Sequence, residues 1–319
     1  MNTIEQAARR LEQLRRAGVD IPGEVDAAAH TAAVNATPTH NATPAAPARG
    51  PGSGVVAQAA VSRTGASAGL TAPPSDDRRS REVAVDLARM RRAGLLVPGQ
   101  PRSQLEEEFR IVKRPLLENL RNQTGMRPER ANLIMVTSAM PGEGKTQTAL
   151  NLAVSIAMEL DHTVLLVEAD VLRPSALERL GITASKGLLD LLSNPETELA
   201  DVLLRTNIPK LTLLPAGTAS SRSTELLASD AMDKLLTELA SKYSDRVVIF
   251  DTPPLLSTTE SRVMAAHTGQ VVMVIEANRT QINTVKQAFA AVEGHPVVLS
   301  MLNKYRGPKG NNAYGYYAP

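Results

Sequence analysis

From residue 131 onward, short apolar runs alternate with segments of helical periodicity, and no other feature constrains the fold of this chain so tightly. The runs are LIMV at 133–136, VLLV at 164–167, LTLL at 211–214, VVIF at 247–250, VVMVI at 271–275 and VVLSML at 297–302. A strand with one wet face alternates apolar and polar residues, so runs this continuous suit strands buried on both faces. Their alternation with helices predicts an α/β domain whose mostly parallel sheet carries helices on both sides.

The first run leads into AMPGEGKT, Ala139 to Thr146, which fits the phosphate-loop pattern GxxxxGK[ST] except for Ala139 in the first glycine position. A P-loop nucleotide-binding fold is therefore expected, with ATP and Mg²⁺ as ligands. Backbone amides of Gly142, Glu143, Gly144, Lys145, Thr146 and Gln147, in the loop that opens at Pro141, can wrap phosphate. Lys145 offsets charge on the β and γ oxygens, and the Thr146 hydroxyl can ligate Mg²⁺. The following segment, QTALNLAVSIAMEL, reads as an amphipathic helix whose N-terminal dipole faces the phosphates.

Two further runs end in acids. VEADVLRP presents Glu168 and Asp170, two residues apart and so on one side of an extended chain, and IFDTPP presents Asp251. Ligands of open parallel sheets bind beyond the carboxyl ends of the strands, which delivers all three acids toward the loop. There Asp170 and Asp251 are candidate Mg²⁺ ligands, and Lys145, Glu168, Asp170 and Asp251 are candidate catalytic groups. Each acid can instead cap the next helix or turn, an alternative that weighs most for Glu168.

The rest of the chain is less apolar. Residues 2–17 have the spacing of a short amphipathic helix, assigned with its glycine stop to a docking element at 1–23. Residues 24–80, rich in Ala, Pro, Thr, Ser and Gly, read as a disordered linker. A motif recurs: LEQLRRAGVDIPG at 11–23 and LARMRRAGLLVPG at 87–99 keep an apolar pair, RRAG and [IV]PG in register. Both copies predict a helix stopped by glycine and turned by proline, docking on related surfaces of a partner. Residues 81–130 read as a helical assembly segment, in which a helix from Ser103 to about Gln123 should be kinked or divided by Pro115. The globular domain is assigned to 131–303 and a mobile tail to 304–319. Net charge is +2, which argues against a nucleic-acid partner. The absence of cysteine excludes disulfides and thiolate chemistry and suits a cytoplasmic setting.

Taken together, AMPGEGKT, VLLVEADVLRP and VVIFDTPP resemble the Walker A, A′ and B motifs of the bacterial tyrosine kinases, relatives of the septum-site and partition ATPases. The resemblance covers about 102–319. The family pattern at the second motif is DxDxR, so Glu168 stands where Asp is usual and Leu172 where Arg is usual, with Arg173 next. Partition-type ATPases carry a lysine where this chain has Met140, which weighs against a MinD- or ParA-like positional switch. A nucleotide-binding, noncatalytic scaffold of the export machinery is the other alternative, left open by Glu168 and Leu172.

Four of the five tyrosines, Tyr305, Tyr314, Tyr316 and Tyr317, lie in the tail, and the family ends in such a cluster of phosphate acceptors. The roughly 13 residues after Arg306 span at most about 45 Å when extended, enough to reach a neighbour's site. Glu107, Arg110 and Lys113 resemble the family's ExxRxxR assembly motif, implying a homo-oligomeric ring of unphosphorylated subunits. Asn303 and Lys304 resemble the segment near the adenine. RSQLEEEFRIVKRPLL and the N-terminal helix resemble the exosortase-associated branch. That implies autokinase control of exopolysaccharide polymerisation and export, a membrane-bound chain-length-determinant activator, and recruitment to the inner face of the membrane.

Overall fold

The computed structural model describes residues 81–121, 128–184, 186–243 and 245–306. The expected helix at 2–17, the expected linker at 24–80 and the tail tyrosines Tyr314, Tyr316 and Tyr317 lie outside the described residues. All six apolar runs are strands. With two short additions they form one eight-stranded sheet: β1 (Arg81–Val83), β2 (Leu133–Ser138), β3 (Thr163–Glu168), β4 (Leu204–Thr206), β5 (Leu211–Leu214), β6 (Arg246–Asp251), β7 (Gln270–Glu276) and β8 (Val298–Asn303). Their order is β1-β4-β5-β3-β6-β2-β7-β8. Neighbours are parallel except β4 and β5.

The runs are continuous because both sheet faces are covered. Ile134, Val136, Val164, Leu166, Val247 and Ile249 face one apolar layer; Leu133, Met135, Leu165, Val167, Val248 and Phe250 face the other. Successive residues of a strand thus feed opposite cores, as the two-residue period of a pleated strand requires.

Three expectations change. Residues 81–83 are not helical: β1 pairs with β4, so the segment before residue 131 belongs to the sheet. The helix Gln104–Arg121 runs unbroken through Pro115. Phe109, Leu116 and Leu117, on either side of the proline, are buried against the core, and that packing opposes the break proline favours. Finally, the helix Lys145–Ala157 is not amphipathic, since all of its 13 residues except Lys145 and Gln147 are buried. The helix Gln104–Arg121 and the segment 87–99 cover the side that the sequence alone leaves facing water.

The second copy of the recurring motif has the predicted form. Asp86 caps the helix Leu87–Arg92 by accepting a hydrogen bond from the Arg89 amide at 2.8 Å. Gly94 (φ +69°) reverses the chain: its amide donates to the Arg91 carbonyl and the Leu95 amide donates to the Met90 carbonyl, satisfying the helix's last carbonyls.

Candidate active site

Strand register assembles the site. Glu168 lies opposite Asp251, and Asp251 opposite Val136, so the carboxyl ends of β3, β6 and β2 are level where β2 enters the loop 139–146. Beyond them opens a cavity of about 510 Å³ lined by the loop, Asp170, Leu172, Arg173 and Arg179.

The loop is held in shape from within and from β8. Gly142 (φ +88°) and Gly144 (φ +103°) adopt conformations that side chains disfavour. The Glu143 side chain points inward, 2% exposed: one oxygen accepts from the Met140 amide at 2.8 Å and the other from the Thr280 hydroxyl. Only its backbone is left for phosphate. Asn303 Nδ2 donates to the Glu143 carbonyl at 2.8 Å. Lys304 Nζ donates to the Gly142 carbonyl at 2.6 Å and pairs with Glu276 at 3.1 Å. Asn303, expected near adenine, therefore sits against the loop itself. A Cβ on Gly144 would fall 2.1 Å from Asn303 Nδ2.

The three acids differ sharply. Asp170 lies on the cavity wall, paired with Lys145 and accepting from the Arg173 amide. Asp251 is 1% exposed, and neither of its oxygens has a hydrogen-bond partner. Burial drives its pKa up to about 7 against the opposing pull of Lys145 and Thr146. Glu168 is spoken for: one oxygen accepts from the Ala176 amide at 2.6 Å, the other from the Ala216 amide at 3.4 Å. It ties the start of the helix Ala176–Leu180 to the chain after β5, and burial raises its pKa although those amides resist the shift. The capping role left open for Glu168 is the one the structure gives it.

An unpartnered, buried Asp251 beside the buried Thr146 hydroxyl fits a hard cation with oxygen ligands. Among the described residues no group of three or more His, Cys, Asp and Glu side chains is placed to hold a metal alone. A Mg²⁺ on Thr146, Asp170 and Asp251 would thus complete its shell with phosphate and water.

Other expected residues separate. Gln147 lines the cavity, but its side chain is engaged by protein: Nε2 donates to the Ala93 and Gly94 carbonyls and Oε1 accepts from Arg179. Glu107 and Arg110 pair with each other at 3.0 Å on an exposed face. Lys113 does not join them: it is 7% exposed, donating to the Ser155 carbonyl at 2.7 Å and pairing with Glu159 at 2.6 Å. Six residues of helix rotate by roughly 240°, so i and i+6 do not share a face. Tyr305 is exposed just past β8. Lys304, expected with Asn303 near the adenine, likewise grips the loop; Arg179 and Thr280 were not chosen as site residues from sequence, because their partners lie far away in the chain and no local pattern marks them.

Comparison with known proteins follows the same lines. A family model described as an AAA domain matches residues 131–295, more than half of the chain. The solved kinase domain of VpsO is 30% identical, with a TM-score of 0.53, over 63% of this chain and 96% of that one. The chain belongs to the bacterial tyrosine kinase family. Within that family, tyrosine-protein kinase YwqD of Bacillus subtilis is 29% identical over 72% of this chain and 93% of its own length. Tyrosine-protein kinase Wzc of Salmonella typhimurium is 28% identical over 83% of this chain, which spans 36% of Wzc.

Proposed function

We propose that the chain is an ATP- and Mg²⁺-dependent protein tyrosine autokinase that transfers the γ-phosphate to its own C-terminal tyrosines, those of a neighbouring subunit included. The observation that carries this reading is the root of the tail. Asn303 and Lys304 grip the phosphate loop through the Glu143 and Gly142 carbonyls, and Tyr305 follows directly. The acceptor segment therefore departs from the edge of the phosphate site.

A tyrosine hydroxyl titrates near pH 10, so a carboxylate must take its proton during attack. Asp170, on the cavity wall, is the acid placed for that; Glu168 is held by backbone amides. Lys145 and the loop amides offset phosphate charge. Thr146, Asp170 and Asp251 would hold Mg²⁺, which supplies charge neutralisation at the transferred phosphoryl group. Met140, exposed at the loop, brings no cation to a partner's nucleotide, which disfavours the positional-switch alternative. The scaffold alternative draws on Glu168 and on Leu172, an exposed apolar residue in an arginine position.

Glu107 and Arg110, free of the core, are the proposed subunit contacts of a ring, and several phosphates on the tail would repel one another and open it. Among the described residues no helix is long and apolar enough to cross a membrane. A membrane-bound chain-length-determinant activator and a role in exopolysaccharide export are part of the same proposal.

The test is phosphopeptide mass spectrometry of the chain in Mg·ATP, with and without the cytoplasmic segment of that activator. Phosphate on Tyr305, Tyr314, Tyr316 or Tyr317, lost in Lys145→Met, is expected. Nucleotide binding without phosphotyrosine in either condition refutes the kinase and favours the scaffold.

A further inference from the structure

Two guanidinium groups, those of Arg173 and Arg179, line the cavity beside Lys145 and Asp170. Neither belongs to the phosphate loop or to the acids at the strand ends. Asp170 is taken by Lys145, and among the described residues no carboxylate pairs with Arg173 or Arg179. Cations gathered without acids in a concave site repel one another and concentrate anions there.

The two arginines differ in how they are held. Among the described residues no side-chain hydrogen bond fixes Arg173. Arg179 donates from one Nη to Gln147 Oε1 at 3.1 Å. That oxygen can face only one way, because the other end of the same amide, Nε2, donates to the Ala93 and Gly94 carbonyls at 3.0 and 2.9 Å. A flipped amide would set its oxygen against two carbonyl oxygens. The segment 87–99 that docks on Gln147 therefore fixes the point to which Arg179 is tied. The backbone beneath Arg179 is braced as well: the Ala176 amide donates to Glu168 at 2.6 Å, and the Asp86 amide donates to the Leu180 carbonyl at 3.0 Å. Gln147 takes one part of the guanidinium and leaves its other donors for a ligand. A planar fork held at one edge suits the oxygens of a phosphate.

Gln147 also directly follows Thr146. One residue thus offers its backbone amide to the phosphate-binding loop and its side chain to the arginine. Resting on the reading of this cavity as an ATP site, we propose that Arg179 is a ligand of the nucleotide's phosphate chain, a second held cation beside Lys145, and that Gln147 positions it. The segment 87–99 then contributes to nucleotide binding without touching nucleotide, through two backbone carbonyls, Gln147 and Arg179 in turn.

The experiment is calorimetric titration of the full chain with Mg·ADP and with the magnesium complex of the nonhydrolysable β,γ-imido analogue of ATP. Arg179→Gln should weaken binding of the analogue roughly tenfold, the worth of a hydrogen bond to a charged group, and make it less sensitive to salt. Arg179→Lys keeps the charge without the fork and should recover only part of the loss. Gln147→Met keeps the length and removes the anchor, so it should weaken binding less than Arg179→Gln does. The double variant should bind no worse than Arg179→Gln alone, since nothing is left to position. Arg179 is exposed, and thermal unfolding of Arg179→Gln without nucleotide should match wild type. Wild-type affinity for both nucleotides in Arg179→Gln overturns the assignment while leaving the ATP site standing. A wild type that binds neither nucleotide overturns both. Additive losses in the double variant refute the positioning role of Gln147.

Discussion

Asp251→Asn should make the protein more stable while removing phosphate transfer. The carboxyl group is buried without a hydrogen-bond partner, and its pKa rises from 3.8 to about 7. A group whose acid form is favoured by folding binds more protons in the native state between those two values. Stability therefore falls as pH climbs from about 4 to about 7 and stays low above that. Raising the pKa from 3.8 to about 7 sets a ceiling near 4 kcal/mol on the cost of keeping the ionised group buried. Asparagine removes the charge but leaves a buried amide to satisfy, which returns about 1–3 kcal/mol of that gain. A net stabilisation of about 1–3 kcal/mol is expected at about pH 8, or roughly 2–12 °C in Tm for a domain of this size. The assay is thermal and urea denaturation of both forms at about pH 5 and about pH 8 in magnesium- and nucleotide-free buffer. The two should converge at the lower pH and separate at the higher. Adding Mg·ATP should then reverse the order, because only the wild type retains the acid that would hold the cation. If Asp251→Asn is less stable at about pH 8, or both forms share one pH dependence, the burial argument is wrong.

Gly144→Ala combines positive φ with a collision at Asn303, so nucleotide affinity measured by calorimetry should drop at least about tenfold and stability by about 1–3 kcal/mol; Asn303→Ala in the same chain should restore only part of either. Lys113→Ala removes a mostly buried ion pair with Glu159 and should cost about 1–3 kcal/mol in urea denaturation. Arg110→Ala, on exposed pairs, should stay within about 0.5 kcal/mol, and equal costs would contradict the assignment of Lys113 to the interior. Glu168→Gln keeps an acceptor for the Ala176 amide and should leave phosphotyrosine yield within a few-fold of wild type, whereas Glu168→Ala should cost about 2 kcal/mol. A folded Glu168→Gln protein without phosphotyrosine would return Glu168 to the chemistry.

The sheet was legible because burial on both faces leaves a signature within each strand: LIMV and VVIF need no information from elsewhere. The phosphate loop was equally local, with its glycines and Lys145 next to one another. What escaped depends on distant neighbours. REV at 81–83 is too short and too charged to announce a strand, and becomes one only because β4 offers an edge. Lys113 and Arg110 look alike in sequence, yet Glu159 and the Ser155 carbonyl draw only Lys113 inward. The helix Lys145–Ala157 reads as half exposed until the segment that covers it is known. Glu168 and Asp170 sit two residues apart at one strand end, and only the amides of Ala176 and Ala216 distinguish a brace from a reacting group.

The pairing of β1 with β4 has an evolutionary side. The stretch matched by the family model starts at residue 131, yet a gene fragment cut there would lose the edge strand, the dock on Gln147 and the helix that buries Phe109 and Leu116. Recombination that trades catalytic domains among relatives would have to break before residue 81. The ancestry of the ATP site and that of its upstream neighbour are thus bound to travel together, whatever becomes of the eighty residues ahead of them.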